Sequence, residues 1–336
     1  MTAPAAAMGG DPVGQPTPKS LILDIYGAQV RGLGGWLAVA NLVALMADLG
    51  HGDGAVRAAV ARMKRSALLS AETRQGVAGY ALTRAALEIL RDGDERIFAS
   101  SAPTTVAEGW VVAVFSVPEP ARDCRHRLRA LLVRLGFGQV TPGVWIAPSR
   151  MRPEARRLLA RARLSQYVSL FMGEYEGFSD LRVLVAHAWD LPALDTDYRR
   201  FIALHRRTEM AWRAPKMRGN RRGFVDYMGV LAAWRQLAYH DPGLPAELLP
   251  RRWNGDRARS LFADLHGTLA PRASAHVTAL VAGSRSASPS LRVGTIGTNG
   301  AIMPQAHVTE AMITRPGDTL APSSAHGRTG ADPTKA

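Results

Sequence analysis

Between residues 20 and 82 the apolar positions fall into three helical stripes and one alternating stretch. Leu21, Ile22, Ile25 and Tyr26 predict a first short helix over Ser20–Gly27. Leu37, Ala40, Val43 or Ala44, and Ala47 predict a second over Trp36–Leu49, with Gly50 as its C-cap. Val56, Ala59, Val60 and Met63 share one face of a third, for which Asp53 is the expected N-cap. Ser70–Leu82 reads as a hairpin turning at Gly76. Two helices, then a hairpin, are the parts of a winged helix-turn-helix in their usual order.

The next segments change period. Trp110–Val117 is a β-rich run stopped by Pro118, and Ala121–Leu135 is helical with Cys124, Leu128, Leu131 or Leu132, and Leu135 inward. Gly136 and Gly138 end that helix; Val144–Ala147 is a strand, Pro153–Leu164 a helix and Tyr167–Met172 a strand. This alternation predicts a small ferredoxin-like α/β sandwich. Further on, Tyr198–Arg213, Gly223–Ala238 and Gly255–Leu269 are helical, separated in part by Asp241-Pro-Gly-Leu-Pro. The expected fold class is therefore α+β and multidomain. The expected divisions are a disordered start (1–18), the winged helix-turn-helix (19–98), a linker (99–109), the sandwich (110–185), a helical C-terminal domain (186–282) and a disordered tail (283–336).

Composition narrows the partners. The chain has 336 residues, 47% of them hydrophobic, and a net charge of +14. No apolar run approaches the ~20 residues of a membrane span, so no membrane role is expected. The lone cysteine, Cys124, suits a reducing cytoplasm, and its place on an apolar stripe makes it a core residue. A basic balance favours a polyanionic partner. Yet residues 1–100 hold ten basic and nine acidic side chains, so any nucleic-acid surface there must concentrate its charge on one face.

The third helix offers such a face. Ala58, Ala61, Arg62 and Arg65 point away from the buried stripe, with Arg57 and Lys64 alongside. Alanine lets a backbone approach a major groove, and arginine forks onto guanine or reaches phosphate. An ordinary solvated face is the alternative. On the hairpin, Arg74, Gln75 and Tyr80 are the candidate contacts, with a plain solvent hairpin as the alternative. Arg213–Arg222 carries five basic residues and no acid. Its Arg213, Lys216, Arg218, Arg221 and Arg222 could hold phosphates of a ligand, flank DNA, or form a mobile loop. Trp189, Tyr198, Trp212, Trp234 and Trp253 suit a helical core, or the walls of a site for an aromatic ligand.

Catalytic signals are poor. The nine histidines show no metal-ligand spacing, and no phosphate-loop or nucleophile-elbow motif occurs. No catalytic residue, metal or cofactor is expected. Glu174 and Glu176 would share one face at the exit of a strand; paired acids could bind a metal, and a solvated face is the expected reading. A metal-dependent nuclease on the sandwich would need an acid at the end of the first strand, where the chain reads Phe115-Ser-Val-Pro118.

Three blocks carry a resemblance to a known family. Ser20–Gly27 with Ala55–Met63 forms the first. Trp110–Glu119, Arg127-Leu-Arg129, Leu135–Gly138 and Pro142–Pro148 form the second. Trp234-Arg235, Asp241–Pro250 and Trp253-Asn-Gly255 form the third. Their order and spacing resemble the phenylacetate-degradation repressors of the PaaX type over roughly residues 19–276. The resemblance implies a homodimeric repressor of an aromatic-acid catabolic operon. It would bind double-stranded operator DNA and be released by an aryl-CoA thioester such as phenylacetyl-CoA, with a central domain similar to small CRISPR-associated nucleases. Arg213, Lys216, Arg218, Arg221, Arg222, Trp234 and Arg235 are the expected effector contacts, and the pocket is expected between the central and C-terminal units. An acyl-CoA-binding protein without specific DNA binding is the remaining alternative. The chain departs from the pattern at Gly76–Tyr80 and at Gly27-Ala28, and its long tail falls outside it.

Overall fold

The computed structural model describes residues 16–98, 104–214 and 219–286. Lys216, Arg218 and almost all of the two expected disordered ends lie outside the described residues. The architecture is α+β, with two small antiparallel sheets among many helices.

Helix α1 spans Pro18–Ile25, with proline in its first turn and the Thr17 hydroxyl accepting from the Ser20 amide. A single π-turn, Tyr26–Val30, and a short 3-10 turn, Arg31–Leu33, follow it. The expected helix over Trp36–Leu49 divides in two. Gly34 and Gly35, both at positive φ, turn the chain so that Trp36–Ala38 becomes strand β1. Helix α2 starts only at Val39 and runs to Asp48. Gly50 closes it at φ +82°, donating to the Ala47 carbonyl at 2.9 Å.

Helix α3 is Asp53–Arg65, and Val56, Ala59, Val60 and Met63 are its buried residues, as the spacing predicts. Its N-cap is Gly52; Asp53 lies one position inside, where its carboxylate faces the positive end of the helix. Strands β2 (Leu69–Arg74) and β3 (Val77–Leu82) pair antiparallel, and β1 adds to the far side of β3. Helix α4, Arg84–Phe98, completes this region; the Thr83 hydroxyl accepts from the Ala86 amide at its start.

The second sheet holds β4 (Trp110–Phe115), β5 (Gly138–Thr141), β6 (Val144–Pro148) and β7 (Val168–Gly173) in the order β5-β6-β4-β7. Helices α5 (Arg122–Arg134) and α6 (Arg152–Arg161) supply Leu128, Leu132, Ala155, Leu158 and Leu159 to a core against Val111, Ala113, Trp145 and Ala147. Cys124 is half-buried beside that core. Gly138 does not end α5. It opens β5, and a Cβ there would lie 2.6 Å from the Trp189 ring, which needs the space.

Helices α7 (Leu181–Ala188), α8 (Leu191–Arg213), α9 (Asn220–His240) and α10 (Gly255–Ser286) follow. Helix α10 continues past Leu269 and through Pro271. An interior proline costs about 3 kcal/mol, and burial of Ala273 and Val277 beyond it offsets that cost.

The cores do not divide as the sequence blocks do. Residues of α1, α2 and α3 share one apolar cluster with Tyr198, Phe201, Phe224, Tyr227, Trp234, Phe262 and Val277 from α8, α9 and α10. Three polar contacts cross the same seam. Arg235 reaches Asp24 at 2.9 Å, and Asp48 receives Arg221 at 2.6 Å and His276 at 2.7 Å.

Candidate nucleic-acid interface

Burial of the Val56 stripe fixes which side of α3 faces outward. Arg57, Ala58, Ala61, Arg62, Lys64 and Arg65 are all exposed. Arg57 is held by Asp53 one turn earlier at 2.8 Å, so part of its charge is answered within the helix. Among the described residues no carboxylate pairs with Arg62, Lys64 or Arg65. The helix thus ends in three cations free to meet an anion, separated from its acidic start by the small face of Ala58 and Ala61.

The hairpin is set by Gln75 and Gly76, at φ +50° and +78°, which make the two-residue turn that suits the twist of β2 and β3. Gln75 and Arg74 sit exposed at the tip. Arg74 is not free: Glu72 binds it at 2.6 Å, and its guanidinium lies 5.4 Å from the centre of the Trp36 ring. The hydrogen bond from Arg74 holds the Glu72 carboxyl below the usual carboxylate range. Gly79 is required in β3, because a Cβ there would lie 2.4 Å from the Trp36 ring and 2.6 Å from the Leu37 carbonyl oxygen. Tyr80 is half-buried on the shared core, and its carbonyl accepts from the Tyr26 hydroxyl at 2.9 Å.

The residues expected at an effector are dispersed. Arg213 pairs with Glu209 at 2.7 Å, Arg222 with Asp226 at 3.0 Å, and Arg221 and Arg235 with Asp48 and Asp24 as above. Trp234 is 5% exposed; it stacks on Phe262 at 4.8 Å and donates to the Ile97 carbonyl at 3.0 Å. Trp189 donates to the Gly136 carbonyl, the Tyr198 hydroxyl to Asp241, and Trp212 to Asp226. Each of these polar tips therefore has a protein partner. The acids that answer the basic segment lie just outside it: Glu209 and Asp226 sit one helical turn before and after, and Asp48 comes from α2, so counting charge within the segment does not find them. Where the central and C-terminal units meet, Trp110, Ile146, Leu181, Val185, Leu191, Leu244 and Leu248 pack into a cluster of their own. Glu174 and Glu176 are exposed just after β7.

No helix among the described residues is long and apolar enough to cross a membrane. Three family models match the chain: a PaaX-like protein model over residues 17–86, the PaaX protein central Cas2-like domain over 103–185, and the PaaX-like protein C-terminal domain over 189–279. The chain belongs to the PaaX-like family. It is 26% identical over 263 residues to the transcriptional repressor PaaX of Escherichia coli (strain K12), covering 77% of this chain and 82% of that one. That relative is a regulator, not an enzyme. Among solved structures the chain is similar to the uncharacterized protein Rv0674 from Mycobacterium tuberculosis. The TM-score is 0.52 and the identity 24%, over 77% of this chain and 98% of that one.

Proposed function

We propose that this protein is a transcriptional repressor that reads double-stranded operator DNA as a homodimer in the cytoplasm. One observation carries the reading: α3 presents Arg62, Lys64 and Arg65 beside exposed alanines, with no acid among the described residues to neutralise them. The helix–helix–hairpin order supports a winged helix-turn-helix in which α3 enters the major groove and the hairpin is the wing. Arg62 and Arg65 read or position, Arg57 and Lys64 flank, Ala58 and Ala61 let the backbone approach, and Arg74, Gln75 and Tyr80 serve the wing. The strand order β5-β6-β4-β7 supports a ferredoxin-like sandwich for the centre. The family relation supports release by an aryl-CoA thioester. Arg213, Lys216, Arg218, Arg221, Arg222 and Arg235 would serve its phosphates only by exchanging the protein partners that the described ones hold, and Trp234 only by leaving the core.

The test is a mobility-shift titration on the protein's own promoter region with excess competitor DNA, repeated with phenylacetyl-CoA and with free CoA. Arg62→Ala is expected to cost about 1–3 kcal/mol of specific binding, and Lys64→Ala to lower the salt slope by about 1. Unchanged specific affinity in Arg62→Ala refutes the assignment of α3.

A further inference from the structure

The central sheet has two edges, and they are built differently. At one, β5 is four residues long, shifts register between Gln139 and Thr141, and packs against α7. Such devices keep an edge from pairing further. At the other, β7 is six residues, Val-Ser-Leu-Phe-Met-Gly, with no charge, proline or bulge. The Ser116 amide donates to the Tyr167 carbonyl, so the antiparallel ladder to β4 is made by Ser169, Phe171 and Gly173. The amides and carbonyls of Val168, Leu170 and Met172 therefore point away from β4, and no protein group pairs with them among the described residues. Phe171 and Met172 are 57% and 46% exposed.

A row of cations overlooks this open edge. Strands β6 and β7 both run antiparallel to β4, so α6 crosses over β4 to join them, while α5 crosses over β6. Arg96 holds Glu154 of α6 together with the Arg134 and Leu135 carbonyls of α5, which turns the Glu154 flank of α6 towards α5. Arg157 and Arg161 lie on that flank and are held by Asp92 and Glu88 of α4. At ~100° per residue, Arg152 and Arg156 face the other way, over β7, and Arg163 follows just past the end of the helix. All three are exposed, and no carboxylate pairs with them among the described residues.

We propose that the β7 edge and these arginines form a docking site for an extended segment of another protein, one that alternates acidic and apolar residues and adds as a fifth strand. The outward backbone groups of Val168, Leu170 and Met172 supply the ladder. Arg152 and Arg156 are about 6 Å apart along the helix, and side chains on one face of a strand repeat at about 6.6 Å, so successive acids meet successive arginines. The apolar residues between them fall on the other face of the sheet, beside Phe171 and its β4 neighbour Val112. Glu174 and Glu176, exposed just after β7, repel an acid there and end the segment at Gly173. Charge decides against a second copy of this chain: an antiparallel β7 pair would set the arginines of one α6 against those of the other. Duplex DNA would use the arginines and leave the strand edge unused. This assignment stands apart from the reading of α3.

The full chain is titrated by fluorescence anisotropy, at low salt, with a labelled peptide of about eight residues alternating glutamate and valine. A second peptide alternates lysine and valine. Two further copies of the glutamate peptide carry N-methyl groups, one on the glutamate amides and one on the valine amides. Arg152→Glu combined with Arg156→Glu reverses the row at exposed, unpaired positions. The parent is expected to bind the glutamate peptide at least about tenfold tighter than the lysine peptide, and the double variant to invert that order, which also shows that it is folded. Amides of alternate residues point to opposite sides of a strand, so one methylated peptide is expected to lose at least about tenfold and the other little. No binding of the glutamate peptide, an unchanged order in the double variant, or equal affinity of the two methylated peptides overturns the proposal. Displacement of the peptide by duplex DNA of unrelated sequence, with DNA affinity lost in the same double variant, makes the row a phosphate contact and overturns it too. So does a dimer in sedimentation that Met172→Pro dissociates, which gives the edge to a second copy.

Discussion

Trp234 tests whether the N-terminal helices and the C-terminal helices are one cooperative body. Its ring stacks on Phe262, lies 5.5 Å from Phe201, and its indole N–H donates to Ile97 of α4. Truncating a buried tryptophan to alanine costs about 3–5 kcal/mol. A domain is typically stable by only about 5–15 kcal/mol, so Trp234→Ala removes a large share of the total. Trp234→Phe keeps a ring and loses the donor, leaving the Ile97 carbonyl without its partner for about 1–3 kcal/mol. Because α1, α2 and α3 share their core with α9 and α10, the loss is not confined to the C-terminal half. Urea unfolding gives the free energies, and hydrogen exchange read by mass spectrometry follows peptides of α3 and α9 separately. Protection is expected to fall together in both helices by the same free energy. A cost below about 1 kcal/mol for Trp234→Ala would show that the residue is not part of the supporting core. Unchanged protection in α3 while α9 opens would refute the shared core itself.

Other outcomes follow from the same geometry. Gly79→Ala is expected to destabilise the hairpin by about 1–3 kcal/mol, the range for overpacking, and to weaken promoter binding; Trp36→Ala in the same chain relieves the side-chain clash and leaves that with the Leu37 carbonyl. Gln75→Asn suits the left-handed turn position better and is expected to raise the melting temperature slightly. His205, buried beside Phe201, has its pKa lowered from 6.5 to about 4 by burial. The unfolded chain therefore takes up that proton first, and the stability held above pH 6.5 is lost as pH falls towards 4, by about 3 kcal/mol. Asp24 works the other way. Burial outweighs Arg235 and raises its pKa from 3.8 to about 6, so protonation stabilises the folded chain between pH 6 and 4. The two effects offset each other in that window, and His205→Phe is expected to retain about 2–3 kcal/mol more than the parent retains between pH 7 and 4.5, checked by urea unfolding at each pH.

The inward face of α3 was legible because a 3.6-residue period needs no partner to be recognised. Strand β1 was not, because Trp36–Ala38 is as apolar as the helix it precedes; only pairing with β3 separates them. The length of α10 was hidden by Pro271, whose usual meaning is a stop. The same limit applies to the site. The exposed cations of α3 follow from the stripe, whereas the acids that occupy Arg221 and Arg235 lie on α2 and α1 and become visible only when the chain is folded. An amphipathic stripe states that a face is covered and does not state by what, so the merging of the first and last cores had no sequence signal.

That merged core imposes a schedule on synthesis. Helix α3 ends at Arg65 and helix α9, which covers α1 and α4, begins at Asn220, a gap of roughly 150 residues, or roughly 8–30 seconds at the usual speed of a ribosome. Throughout that interval α3 already has α1, α2 and β2 beside it, while the faces of α1 and α4 that α9 covers stay open to solvent. A chain cut short before α9 therefore carries a folded-looking start with an uncovered apolar seam, the kind of surface that draws partly made chains into aggregates.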